Sequence, residues 1–239
     1  SGASAITNSG NNITYTNATG NHKNWTAHYT PHTSDTEGDV TFTVDFKDLA
    51  GNSGGQVASL TGGDSVEFDD TAPTLSVGSI ISSNPTNTLA KAGELITLTF
   101  TTNTAIHTPV VTFKSGGVAI TDTSIDYVNT TGNTWTAKYT ADASDIDGAV
   151  TFSAAISDLA GNLKTFTAVT SGGGSVQFDD TTPTVSDINI ESNNSPGPKT
   201  HAKAGHVVTL SFTTSEAIAT PTAVFKSNGG SNLTDTVTY

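Results

Sequence analysis

Apolar and polar side chains alternate along most of this chain with a period of two. Ile96, Leu98 and Phe100 are separated by Thr97 and Thr99; Trp135, Ala137 and Tyr139 by Thr136 and Lys138; Val150, Phe152, Ala154 and Ile156 by Thr151, Ser153 and Ala155. Successive side chains of a strand point to opposite faces, so each run predicts a strand with one buried face. Further strands are expected over 74–81, 109–114, 118–128 and 163–178. Turn signals separate them: Asn84-Pro85, Ala92-Gly93, Ser115-Gly116-Gly117, Gly132-Asn133, Asp147-Gly148 and Gly161-Asn162. No window carries a helical period of useful length. Seven or so strands in about 110 residues, with frequent turns, predict an all-β sandwich.

The pattern recurs. Trp25-Thr26-Ala27 and Tyr29 return as Trp135-Thr136-Ala137 and Tyr139, and Asp48-Leu49-Ala50-Gly51-Asn52 returns as Asp158-Leu159-Ala160-Gly161-Asn162. Asp64-Ser65-Val66-Glu67-Phe68-Asp69-Asp70 returns as Gly174-Ser175-Val176-Gln177-Phe178-Asp179-Asp180. The interval is 110 residues (25 to 135, 48 to 158), the length of an independent all-β domain rather than of a solenoid turn. Residues 71–180 therefore form one complete repeat, 1–70 the C-terminal part of another, and 181–239 the N-terminal part of a third. The last piece is offset by about 112 residues, as in Phe100 to Phe212 and Phe113-Lys114 to Phe225-Lys226. Tyr15, Tyr127 and Tyr239 are equivalent, so the chain begins and ends in the same region of the repeat, overlapping by about a dozen residues. Each junction, Asp69-Asp70-Thr71-Ala72-Pro73 and Asp179-Asp180-Thr181-Thr182-Pro183, holds a proline that restricts the residue before it to extended conformations. Short stiff linkers of this kind predict an elongated rod.

Composition narrows the function classes. Thr and Ser supply 70 of 239 residues and Gly 23, which favours strands and turns. The absence of Cys excludes disulfides and thiolate metal sites. A net charge of −13 argues against nucleic acid and is compatible with cation binding. No stretch has the 18 or so apolar residues of a membrane helix, and no signal peptide is present. The chain starts at Ser1 and lacks Met, which reads as a processed or excised piece of something longer.

Several of these landmarks together resemble a known family. Tyr139, the Asp147-Gly148 turn, Val150-Thr151-Phe152, Asp158 to Asn162 and Asp179 to Pro183 look like the tandem bacterial Ig-like domains of large surface adhesins. The first copy carries the series as Tyr29, Glu37-Gly38, Val40-Thr41-Phe42, Asp48 to Asn52 and Asp69 to Pro73. The resemblance spans essentially the whole chain. It implies tandem immunoglobulin-like β-sandwiches, an extracellular or cell-surface location, a stalk, fibre or adhesin role, and in some members calcium at domain junctions.

Candidate sites follow from the carboxylates and sequons. Asp69, Asp70, Asp179 and Asp180 beside the linkers, with Asp48 and Asp158 opening turn loops, are candidate calcium ligands; the plainer reading is that they cap turns. Calcium takes six to eight oxygens. Asp142, Asp145 and Asp147 lack the terminal Glu of an EF-hand loop and read as a polar turn. Sequons occur at Asn12, Asn17, Asn24, Asn129, Asn193 and Asn232, about the number chance predicts for 18 Asn in this composition, and are candidate glycosylation sites. His22, His28 and His32 read as solvated rather than zinc-binding. Trp25, Tyr29, Trp135 and Tyr139 read as core rather than a sugar-stacking platform. No Ser/His/Asp set recurs, so no enzyme is expected.

Half a sandwich leaves an apolar face open. Val207, Leu210, Phe212 and Phe225 would be uncovered on one piece, and Trp25, Phe42, Val44 and Phe68 on the other. Linked through a rigid domain, the two pieces are not expected to reach each other within one chain. The expectation is an extracellular structural repeat that builds a filament or cell-surface stalk. Its end pieces would be completed either by identical subunits head to tail, through strand complementation, or by continuation of the polypeptide. The other class is an adhesin module that binds a glycan or protein.

Overall fold

The computed structural model of the protein describes residues 13–17, 22–122, 124–169, 174–227 and 231–232, so Asn12 and Tyr239 lie outside the described residues. The chain divides into two compact units, Ser1–Asp179 and Asp180–Tyr239.

In the first unit, short strands come first: β1 (Thr14–Asn17), β2 (Trp25–His28), β3 (Gly38–Asp39) and β4 (Glu67–Phe68). Then follow β5 (Leu75–Ser82), β6 (Leu89–Ala90), β7 (Leu95–Thr102), β8 (Val110–Ser115) and β9 (Val118–Ala119). The unit ends with β10 (Asp126–Thr131), β11 (Thr134–Thr140), β12 (Gly148–Ser157), β13 (Leu163–Phe166) and β14 (Val176–Phe178). The second unit holds β15 (Val185–Ser192), β16 (Val208–Thr214), β17 (Lys226–Ser227) and β18 (Ser231–Asn232). No helix among the described residues is long and apolar enough to cross a membrane.

Strands β5 to β14 form a complete sandwich. One sheet runs β10-β11-β7-β5 and the other β6-β14-β12-β8-β9, with β13 also pairing β12. In immunoglobulin lettering the first sheet is D-E-B-A and the second contains G-F-C, which is the partition of that fold. The repeat is therefore all-β and Ig-like on the evidence of strand order alone.

The period-two runs supply its core. In β7, Ile96, Leu98 and Phe100 are at most 2% exposed, and between the sheets they meet Phe113, Trp135, Tyr139, Phe152, Ile156, Val176 and Phe178. The rings of Phe113 and Tyr139 lie 4.8 Å apart, centre to centre. Complete burial of one such side chain contributes roughly 1.5–3 kcal/mol.

Two expected strands are broken. The run 118–128 is interrupted because Asp122 Oδ1 accepts the Ser124 backbone N–H at 2.8 Å, a local turn that competes with the ladder. The run 163–178 divides into β13 and β14, which pair with different stretches of β12. The short β6 was not expected; it lies parallel beside β14, with Phe178 opposite Ala90.

Candidate functional site

The flanking pieces keep the local hairpins of the sandwich and lack its long-range seams. β1 pairs with β2, placing Tyr15 opposite Ala27 and Asn17 opposite Trp25. In the complete repeat Tyr127 lies opposite Ala137 and Asn129 opposite Trp135, the same register. Gly38 opposes Phe68 as Gly148 opposes Phe178. In the second unit, Ile190 opposes Leu210 and Ser192 opposes Val208, as Ile80 opposes Leu98 and Ser82 opposes Ile96. Even the turn after the first strand is reproduced: Ser192 Oγ donates to the His201 carbonyl at 2.6 Å, as Ser82 Oγ does to the Leu89 carbonyl.

Among the described residues the long-range seams lie in the complete repeat. There β11 runs along β7 for seven residue pairs, β12 along β8 for six, and β14 along β6 for two. Among the described residues β1-β2, β3-β4, β15-β16 and β17-β18 are all two-stranded. The loss is visible in β12, which is ten residues long, whereas its counterpart keeps Gly38–Asp39 and isolated bridges at Val44 and Lys47. A strand flanked on one side only has half its ladder bonds, and residues 40–47 keep only the bridges of Val44 to Val57 and Lys47 to Ser53.

Exposure of the equivalent side chains measures what is open. Trp25 is 58% exposed and Trp135 9%; Phe42 is 39% and Phe152 8%; Val66 is 64% and Val176 0%. In the second unit Ile190 is 60% exposed against 3% for Ile80. Of the side chains expected to be uncovered, Trp25, Phe42, Val44 and Val207 are exposed, while Phe68, like Leu210, Phe212 and Phe225, is half-buried.

The first junction is tied down by residues that sequence reading passed over. Glu37 Oε1 accepts the Asp70 backbone N–H at 3.0 Å and the Thr71 hydroxyl at 2.6 Å. Asn162 Nδ2 donates to the Asp69 carbonyl at 3.0 Å, and the Thr71 N–H to Asp69 Oδ1 at 3.0 Å. The available signal was the recurrence of an acid before glycine, Glu37-Gly38 and Asp147-Gly148, and of Asn52 as Asn162.

The Asp48 and Asp158 loops are built alike. Asp158 Oδ1 accepts the N–H groups of Gly161 and Asn162, both at 2.8 Å, and Oδ2 accepts Asn162 Nδ2 at 3.0 Å. Asp48 accepts the Asn52 N–H and Nδ2, each at 2.8 Å, and these bonds hold its carboxyl below the usual range. Gly51 and Gly161 take φ of 94° and 100°, the left-handed region that closes each turn. Both carboxylates cap their own turns. Asp179 donates its N–H to the Ala90 carbonyl at 2.9 Å, and Asp180 lies at the start of the second unit. Among the described residues no three His, Asp or Glu side chains gather in a metal-holding group.

Asp142 and Asp145 form a polar turn. Buried Asp145 accepts the N–H of Asp142 at 3.0 Å and of Thr121 at 3.2 Å. Asp142 accepts the Ser144 hydroxyl and N–H, which holds its carboxyl low. Asp35, the counterpart of Asp145, accepts the Tyr29 hydroxyl and the His32 N–H; the bond raises the Tyr29 hydroxyl to about 12 and lowers Asp35. A depression of about 480 Å³ beside Asp142 is lined by Thr121, Asp122, Thr140, Ala141 and Ser144.

Of the sequons, Asn24, Asn129 and Asn193 are exposed, and Asn129 lies on β10, an edge of its sheet. Asn17 is half-buried and its amide has no hydrogen-bond partner among the described residues; Asn232 lies on β18 and Asn12 outside the described residues. Trp135 and Tyr139 are core side chains. His32 packs its ring nitrogen against the Ser34 hydroxyl, and His22 offers its carbonyl to Trp25 Nε1.

No protein-family model matches the chain, and no curated protein matches it. Among solved structures, one described as titin M4 in a trigonal form is similar at 17% identity, covering 48% of this chain and 100% of that one, with a TM-score of 0.27. The Ig-like assignment rests on strand order and not on that similarity.

Proposed function

We propose that the protein is an extracellular structural repeat of the bacterial adhesin type, which builds a filament or cell-surface stalk from Ig-like sandwiches. The observation that carries this reading is complementarity. Residues 13–70 hold the equivalents of strands D, E, F and G, and residues 184–232 those of A, B and C, each with its apolar face open. Burying a Trp, Phe or Ile contributes roughly 1.5–3 kcal/mol. Half a dozen such side chains suffice to offset an association cost on the order of 4–15 kcal/mol. Neighbouring polypeptide that supplies the missing strands turns each open face into a sandwich core, and repetition makes length.

Exposed sequons at Asn24, Asn129 and Asn193 suit a surface-exposed, glycan-bearing rod. Calcium enters this reading only as a reinforcement of the Asp69-Asp70 and Asp179-Asp180 junctions. Electron microscopy of the purified protein, with and without a chelator, tests both points. The expected image is strings of beads at one spacing; isolated globules at all concentrations would contradict it. If calcium stiffens the junctions, the chelator bends the strings; unchanged strings remove calcium from the account.

A further inference from the structure

Resting on the structural-repeat reading, we propose that Glu37 and Asn162 are positioning residues that fix the angle between residues 13–70 and the complete repeat, making the junction stiff without a bound cation. The linker is gripped from both sides. Upstream, Glu37 Oε1 accepts the Asp70 N–H at 3.0 Å and the Thr71 hydroxyl at 2.6 Å. From the complete repeat, Asn162 Nδ2 donates to the Asp69 carbonyl at 3.0 Å. Asp69 Oδ1 accepts the Thr71 N–H at 3.0 Å, closing a turn within the linker itself. Pro73 is fully buried, and Thr74 exchanges two bonds with Asn103: its N–H to Oδ1 at 2.7 Å, and its carbonyl from the Asn103 N–H at 3.1 Å. Asp69, Asp70, Thr71, Pro73 and Thr74 are thus all anchored, and Ala72 is half-buried.

Both grips come from segments that pairing holds in place. Gly38 opposes Phe68 and Asp39 opposes Glu67, so the β3-β4 pair carries Glu37 beside the start of the linker. Asn162 is oriented by the Asp158 turn, whose carboxylate receives its N–H at 2.8 Å and its Nδ2 at 3.0 Å. A side-chain amide nitrogen carries two hydrogens, so Asn162 serves Asp158 and Asp69 at once. Proline fixes the φ of Pro73 and keeps Ala72 extended. The soft dihedrals left are those of Asp70 and Thr71, and the two Glu37 bonds span them. The same residue types recur 110 positions on, as Asp147, Asp180 and Thr181, an acid, an acid and a hydroxyl.

The chain contains no cysteine, so spin labels at Asp39→Cys on β3 and Thr151→Cys on β12, both exposed positions, report the separation across the junction. The measurement is the distance distribution from pulsed electron paramagnetic resonance on the full chain. With the two labels alone, one narrow distribution is expected, and a chelator leaves its width unchanged. Glu37→Ala removes the acceptor of two bonds and should broaden it at least twofold. Glu37→Gln keeps an oxygen acceptor and should retain most of the narrow width. Thr71→Val loses the hydroxyl donor alone and should broaden it less than Glu37→Ala. Asn162→Ala acts from the complete repeat and should broaden it too, which covers the case of Glu37→Ala folding poorly.

Unchanged width in both Glu37→Ala and Asn162→Ala would overturn the inference. So would a chelator that broadens the parent distribution as much as Glu37→Ala does, since a bound cation would then set the angle. Glu37→Gln as broad as Glu37→Ala would overturn it as well, because an oxygen acceptor would then not be what holds the linker. Each of these outcomes leaves the structural-repeat reading standing, for that reading is decided by bead strings and not by the stiffness of one junction. Isolated globules in the microscope would strike that reading, and the width measured in the same protein would still decide the clamp.

Discussion

At the residue scale, the repeat is held by side chains whose hydrogen-bonding capacity is filled locally. Asp158 is 1% exposed and receives three amide donors from Gly161 and Asn162. Asp158→Ala removes the shared acceptor of the exposed Gly161 and half-buried Asn162 donors, so a loss of about 1–2 kcal/mol is expected, read as a lower urea midpoint at unchanged slope. No change would show that the turn closes without its carboxylate. Asp35, Asp48 and Asp142 all have folded-state values below their ordinary one, through bonds from Tyr29, Asn52 and Ser144 respectively. A lowered carboxyl stabilises the fold above its unfolded value near 3.8 and loses that contribution as pH falls through the folded value. Melting temperature at low salt should be level from pH 7 to 5 as far as these groups go, and fall below pH 4. A rise on acidification would show that relief of the −13 charge outweighs these bonds.

Glycine marks another residue-scale asymmetry. Gly148 takes φ 144° and a Cβ there would lie 2.7 Å from Gly116 Cα, where β12 and β8 come together. Gly38 keeps φ 123° with nothing within 4 Å.

At the element scale, the legible features were those written in local periodicity. β7, β11 and β12 follow the alternation of Ile96 to Phe100, Trp135 to Tyr139 and Val150 to Ile156, because one face of each is covered by the opposite sheet. The split of 163–178 was not legible, since β13 and β14 owe their bounds to different pairing stretches of β12. β6 was missed for a related reason: two residues carry no period, and the strand exists through Phe178 and Gln177 alongside. At the junction, Glu37 and Asn162 act on backbone groups 33 and 93 residues away, which no short motif announces. The Asp48 and Asp158 turns were visible as a repeated series, and the geometry supplies the capping role.

The same logic predicts how the end pieces respond to a partner. Residues 40–47 match β12 in sequence but lack its second neighbour. Their backbone amides should exchange with deuterium much faster than those of Gly148–Ser157 in dilute protein. On assembly the two should converge. Rapid exchange over 40–47 in assembled material would show that the seam with a neighbouring strand does not form.

At the scale of the whole molecule, the described residues hold one complete sandwich and two flanking parts whose equivalent apolar side chains are more exposed. The protein has two tryptophans, and they report the two situations separately: Trp135 is core and Trp25 is 58% exposed. Assembly should transfer Trp25 into a core like that of Trp135, with little else changing in the complete repeat. The most direct measurement is quenching of Trp25 by acrylamide in Trp135→Phe, followed by dilution, with Trp25→Phe as the companion that reads Trp135. The account predicts that Trp25 is shielded at high concentration and accessible on dilution, while Trp135 is shielded throughout. Trp25 shielded in a species that sediments as a 24.4 kDa monomer, or accessible in assembled filaments, would contradict it.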